Sequence, residues 1–289
     1  MIKIPLQNLT SCVINRKLLI ISFLLLSGHM FAHGDLTLRI IKKTQEISQN
    51  PDNFELYFQR GFLYQQHIEY NKALEDYLKS KSLGNTNKEL QYRIAEVNYL
   101  AEDYSNASTS ILTYLELDSV DVRAKKLEAQ ILFKLEAYQK SLEAYSYVMN
   151  NMIDVRPEDV LEYAEIILAE NNENYRGALN AIEAGLNQVG PNTLSLQLKK
   201  LDYLKESNQI EKALEQYNYF ILEYKRKEFW YYKKAAYLAK VNRPEEANIS
   251  LKLATSALEQ LDSRFKNMNS IIKLKDRITR LESLNNQKL

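Results

Sequence analysis

A chain of 289 residues with only 7 glycines and 5 prolines, rich in Leu, Glu, Lys, Ala, Asn and Tyr, has the chemistry of helices joined by short turns. Its 38 basic residues are matched by 37 acidic ones, which argues against the basic surface that nucleic-acid binding rests on. A single cysteine, Cys12, excludes an internal disulfide framework.

Arg16 and Lys17 precede the apolar run from Leu18 to Leu26, and Ser27, Gly28 and Ala32 follow. Charge, apolar core and small-residue exit make residues 1–32 a secretory signal peptide, and its core of about ten residues is too short for a membrane span of roughly 20. Cleavage is expected after Ala32 or after Gly34, giving a secreted or periplasmic chain with no stable membrane insertion. No cysteine follows the apolar core to carry a lipid. Residues 1–34 hold Lys3, Arg16 and Lys17 and no acid, so their loss turns 38 cations against 37 acids into 35 against 37. Cys12 leaves too, and the remainder must be held by packing alone.

Residues 33–50 are expected to form an N-terminal capping helix with Leu36, Ile40, Ile41, Thr44 and Ile47 on one stripe. From residue 51 to 261 the sequence repeats. Tyr70, Tyr104 and Tyr138 recur at equal intervals, each ahead of a small residue followed by apolar ones at helical spacing. Those small residues are Ala73, Ala107 and Ser141, and the pattern returns at Ala178, Ala213 and Ala247. A second small residue marks the preceding helix of each pair at Gly61, Ala95, Ala129, Ala164 and Ala235, with Leu201 the exception. Pro51-Asp52-Asn53, Gly84-Asn85-Thr86-Asn87 and Gly190-Pro191-Asn192 punctuate the array, and Pro157 and Pro244 fit a first helical turn.

These small and aromatic positions resemble the tetratricopeptide repeat over about six helix pairs. The resemblance implies an all-α right-handed solenoid, antiparallel helices crossing at the small residues, and one of the many unrelated binding roles that the family hosts. The fourth repeat departs from the pattern, since Asn171-Asn172-Glu173-Asn174 lengthens its inner turn. Residues 262–289 then supply a C-terminal capping helix and tail, with Phe265, Met268, Ile271, Ile272, Ile278 and Leu281 on its apolar side.

Catalytic patterns are absent from the sequence: it has no phosphate-cradling glycine loop, no His-Glu metalloprotease pair and no nucleophile elbow. Beyond the signal only His33 and His67 remain, so no metal or cofactor is expected, and Glu162, Glu165 and Glu170 read as a solvated helical face. Most of the 20 tyrosines belong to the core, with Tyr64, Tyr77, Tyr145 and Tyr217 between helices and Tyr70, Tyr104 and Tyr138 at the turns. In the repeat family the first helix of each pair lines a concave groove. Its outward positions map onto Phe58, Phe62, Tyr92, Tyr99, Phe133 and Tyr232, with Arg93, Glu96, Lys126, Lys205 and Lys233 beside them. Amphipathic rings in a groove suit a peptide, because they offer large contact areas with few rotatable bonds. The family's chaperone-docking clamp is not expected, since Phe58 and Phe62 occupy the corresponding places in the first repeat. The expected function is an exported adaptor for a protein or peptide partner. The alternative is a structural, self-assembling part of an envelope complex, with an enzyme as the remote third reading.

Overall fold

A computed structural model describes residues 35–287. The expected signal peptide, with its exit at Ala32 or Gly34, lies outside the described residues. Every described element is helical, and the array is an all-α repeat solenoid. The chain divides into two compact units that meet in sequence at Asn151 and Met152.

The first unit begins with α1, residues 35–49. Three helix pairs follow: α2 (Phe54–Gln66) with α3 (Tyr70–Ser82), α4 (Lys88–Leu100) with α5 (Tyr104–Leu117), and α6 (Val122–Lys134) with α7 (Tyr138–Asn151). Within each pair the helices pack closely, and each new first helix packs on the second helix of the pair before it. The small residues permit the close crossings. Ala73, Ala95, Ala107, Ala129 and Ser141 have no exposed surface, and Ser141 donates its hydroxyl hydrogen bond to the Ala129 carbonyl across a crossing at 2.8 Å. At Gly61 a Cβ would stand 2.8 Å from the buried Tyr77 ring, so the glycine is a steric requirement.

The second unit holds α8 (Pro157–Glu170) with α9 (Tyr175–Val189), α10 (Leu194–Glu206) with α11 (Ile210–Glu223), and α12 (Lys227–Lys240) with α13 (Pro244–Glu259). Pro157 and Pro244 are the first helical residues of α8 and α13, where no intrahelical donor is lost. Leu201 stands buried in α10 where other first helices carry Gly or Ala, and α10 and α11 pack least closely of the six pairs. The short α14 (Ser263–Lys266) leads to α15 (Asn269–Asn286), which packs on α12 and α13 and buries Ile271, Leu274 and Ile278.

Five of the six pairs turn the same way. Ile68, Glu102, Glu136, Asn208 and Asn242 take the left-handed conformation, with φ between 55° and 64°. Around each, the next residue donates a backbone hydrogen bond back to the helix, as from Glu69 to the Tyr64 carbonyl and from Asp103 to the Asn98 carbonyl, at 2.9 and 2.8 Å. This closure satisfies the last helical carbonyls and fixes where the second helix begins. The fourth pair has no left-handed residue in its turn, in keeping with the longer Asn171–Asn174 segment.

Two stripe assignments are corrected. On α1, Ile40 and Ile47 are buried but Ile41 is half exposed, because the contact with the first pair takes only one narrow edge of the helix. On α15, Phe265 and Met268 precede or open the helix and, like Ile272, remain exposed, while Leu274 takes a core place.

Candidate functional site

The candidate site is built on α1 and α2 in the first unit. Phe58 and Phe62, four residues apart on α2, share one face with Gln59 and line a pocket of about 380 Å³. Arg39, Lys42, Lys43 and Glu46 of α1 form its opposite wall, and Leu63 contributes to the floor. Both rings are partly buried; Phe58 rests against the Tyr77 ring at a centroid distance of 5.7 Å, and the Arg93 guanidinium lies 4.9 Å from the Phe62 centroid.

Hydrogen bonds fix the wall. Lys43 Nζ donates to Glu46 at 2.6 Å and to Gln59 Oε1 at 2.9 Å, joining α1 to α2. Nearby, Arg60 donates two bonds to Asp76 at 2.8 and 2.7 Å and a third to Thr44 Oγ1 of α1 at 3.1 Å. Thr37 Oγ1 and His67 Nε2 lie 3.4 Å apart. The hydrogen bond from Lys43, joined by the charges of Lys43 and Lys42, holds the Glu46 carboxyl below its ordinary range despite burial pushing the other way. Arg39 and Lys42 are exposed and make no ion pair among the described residues. The pocket therefore has two engaged charges, Lys43 and Glu46, and two cations whose hydrogen-bonding capacity is open.

On the first helices of the next two pairs, α4 and α6, charge closes over the rings. Arg93 pairs with Glu89 at 3.0 Å and Glu96 at 2.8 Å, and Gln65 donates to Glu96 at 2.7 Å. Arg123 pairs with Glu89 through two bonds of 2.8 and 3.2 Å and stacks 3.9 Å from the Tyr92 ring centroid. Those bonds to Glu89 push the Arg123 guanidinium above its usual range, and burial does the same to the Tyr92 phenol.

The residues mapped to the groove consequently divide. Phe58, Phe62 and Arg93 come together at the α1–α2 end. Tyr92 is corrected to the core: it is 6% exposed and meets Tyr114 edge-on at 5.7 Å, with Arg123 covering its other side. Tyr99 and Phe133 are partly buried and lean on the turn residues Tyr104 and Tyr138, at 5.8 and 5.6 Å. Lys126 is partly buried on α6, and Tyr232 lies partly buried on α12 in the second unit. Arg39 and Lys42 were missed because a solvated helix face carries the same residues, and only the placement of α1 against α2 gives them a role. Among the described residues no cluster of His, Cys, Asp or Glu could hold a metal, and no helix is long and apolar enough to cross a membrane.

Comparison with solved structures identifies the architecture. A tetratricopeptide repeat protein from Parabacteroides merdae ATCC 43184 superposes with a TM-score of 0.54 and 16% identity, covering 90% of this chain and 95% of that one. The fold is a tetratricopeptide-repeat solenoid. A chain from the structure of Naa15/Naa10 bound to HypK-THB gives a TM-score of 0.53 and 14% identity over 80% of this chain and 36% of its own. MamA from residue 41 to its end, from Desulfovibrio magneticus RS-1, gives 0.50 and 14% over 56% of this chain and 90% of that one. At these identities the likeness of the tetratricopeptide-repeat solenoids is one of fold. No protein-family model and no curated protein matches the sequence.

Proposed function

We propose that this chain is an exported adaptor that binds a polypeptide partner on the first-helix face of its first unit, and that it has no catalytic activity. The observation that carries the reading is the pocket of about 380 Å³ in which Phe58 and Phe62 stand open opposite α1. A concave site with amphipathic rings and a few placed charges is suited to anchoring a side chain of a partner. A chain that shares this fold over part of its length comes from an assembly, Naa15/Naa10 bound to HypK-THB, in which proteins bind one another. Export rests on the signal pattern of residues 1–32, and the balance of 35 cations to 37 acids beyond residue 34 disfavours nucleic acid as the partner.

The test is a photo-crosslinking amino acid introduced at Phe62 and, separately, at the half-exposed Leu112 of α5, in cells that make the protein naturally. A polypeptide crosslinked from position 62 and not from 112 is expected. Crosslinks from 112 alone would move the binding surface off this face and overturn the reading. Sequencing the exported protein should begin at His33 or Asp35; an intact Met1 would overturn the cleaved form.

A second reading, self-assembly through an end of the array, draws on Phe265, Met268 and Ile272, which are 38%, 44% and 48% exposed around the start of α15. Concentration-dependent sedimentation that Met268→Lys abolishes would favour it.

A further inference from the structure

We propose that the trough between α1 and α2 receives an extended acidic segment of the partner, with its carboxylates against Arg39 and Lys42 and its alternate apolar side chains against Phe58 and Phe62; this rests on the protein-binding reading above. The two walls differ in chemistry. Arg39, Lys42 and Lys43 sit at the first, fourth and fifth places of one helical stripe on α1, whereas α2 presents Phe58, Gln59 and Phe62. Side chains three and four apart are neighbours on a helix, so each wall is continuous along the trough.

Charge selects the occupant. Lys43 is satisfied by Glu46 and Gln59, but Arg39 and Lys42 form no ion pair among the described residues, and the wall carries three cations to one acid. Glu46 is held ionised by the Lys43 hydrogen bond and by the charges of Lys43 and Lys42, and it is the one acid among the four charged residues that line this wall. A basic or neutral segment would leave those cations without partners in the complex, whereas carboxylates supply charge-assisted acceptors.

Spacing selects an extended conformation. Phe58 and Phe62 are separated along the helix axis by about 6 Å, at 1.5 Å per residue. Alternate side chains of an extended strand recur at about 6.6 Å on one side, with those between them on the other. A strand laid along the trough therefore offers apolar groups to α2 at nearly the Phe58–Phe62 interval and acidic groups to α1, where Arg39 and Lys42, about 4.5 Å apart along the helix axis, reach them through long side chains. A helical ligand would need its two faces divided across a pocket of only about 380 Å³.

The probe is the peptide Glu-Leu-Glu-Phe-Glu-Leu, blocked at both ends so that no terminal carboxylate contributes and carrying a fluorescent label, titrated with the full chain and followed by anisotropy. Binding is expected, weakening as salt rises from about 50 to about 300 mM. The double variant Arg39→Glu/Lys42→Glu should lose about tenfold in affinity, and should prefer the counterpart peptide with Lys at each Glu position. Arg39→Gln/Lys42→Gln should fall between, and because both side chains are exposed the melts of all three proteins should coincide. Equal affinity of the native chain for acidic and basic peptides, or no binding of the acidic peptide, overturns the proposal. Crosslinking from Phe62 that persists in the charge-reversed chain also overturns it while leaving the adaptor reading intact. Peptide binding that depends on Arg39 and Lys42, with no partner crosslinked from Phe62 in cells, supports the site's chemistry and counts against the adaptor reading alone.

Discussion

Gly185 in α9 is the tightest glycine crossing in the second unit, and Gly185→Ala measures what that closeness is worth. A Cβ there would stand 2.4 and 2.6 Å from the two methyl carbons of Val160 and 3.0 Å from its Cβ. Val160, on α8, has no exposed surface, and its branched side chain has little rotameric freedom to retreat. Helix propensity favours Ala over Gly by about 1 kcal/mol, whereas overpacking a filled crossing costs about 1–3 kcal/mol. With three side-chain atoms inside normal contact distance, the steric cost should dominate and leave a net loss of about 1–2 kcal/mol. Val160→Ala alone should cost about 2 kcal/mol through the cavity it leaves. Combined, the new methyl occupies the vacated space, so the double variant should be more stable than the sum of the single losses by at least about 1 kcal/mol. Denaturant unfolding followed by fluorescence of Trp230, the chain's only tryptophan and in the same unit, measures all four corners of the cycle. Repeat arrays need not unfold in one step, so the helical circular dichroism transition is recorded alongside. A raised midpoint for Gly185→Ala, or additivity within about 0.5 kcal/mol, would refute a close α8–α9 crossing.

At Ile68, 65% exposed with a φ of 64°, a branched side chain occupies a left-handed turn. Ile68→Asn, the residue present at the equivalent turns as Asn208 and Asn242, should stabilise by about 1 kcal/mol in the same denaturation assay, and a lower midpoint would contradict the strain argument. Asp121 caps α6 by accepting from the Arg123 and Ala124 amides at 2.8 and 3.2 Å and from the Tyr114 hydroxyl at 2.5 Å, so Asp121→Ala should cost about 1–2 kcal/mol at neutral pH. Burial pushes its carboxyl upward, but the bonds from Tyr114 and the amides, with the Arg123 charge, hold it below the ordinary 3.8. A depressed carboxylate contributes its stability above that ordinary value and loses it as pH falls through the lower folded value, so the gap between native and variant should close below pH 3.8. A gap unchanged at about pH 2 would show that the carboxylate's charge is not its source.

The helical array was legible because its determinant is local and repeated. A small residue at each crossing, returning with the repeat period in the regular repeats, marks where two backbones approach, and Ala73, Ala95, Ala107, Ala129, Ala164, Ala178, Ala213, Ala235 and Ala247 all have no exposed surface. Leu201 broke that rule in sequence, and its pair is the one that packs least closely. The left-handed turns were not legible, because only two of the five residues that adopt them, Asn208 and Asn242, are of a type that favours the conformation. Helix closure imposes it on Ile68, Glu102 and Glu136.

Phe58 and Tyr92 show why the site could be read only in part. They occupy equivalent places in successive repeats, and from sequence both looked like rings facing a groove. Their fates differ through residues elsewhere. Tyr92 is covered by Tyr114 from its own pair and Arg123 from the next. One repeat earlier, the positions that would cover Phe58 hold Ser80 and Glu89. Ser80 is too short to reach the ring and is turned to the Phe54 carbonyl at 2.9 Å, and Glu89 is held by Arg93 and Arg123. Phe58 thus lacks the lid that its repeat equivalent has, and α1, which precedes α2 one repeat period before α3 precedes α4, approaches it from the other side with Arg39, Lys42 and Lys43. The pocket arises where α1 keeps the repeat period but carries Arg39, Lys42 and Lys43 at the places that Ala73, Asp76 and Tyr77 take in α3. A periodic signal identifies what repeats cover alike, and the open surface at this end depends on positions where the first repeat differs from the second, Ser80 and Glu89 among them.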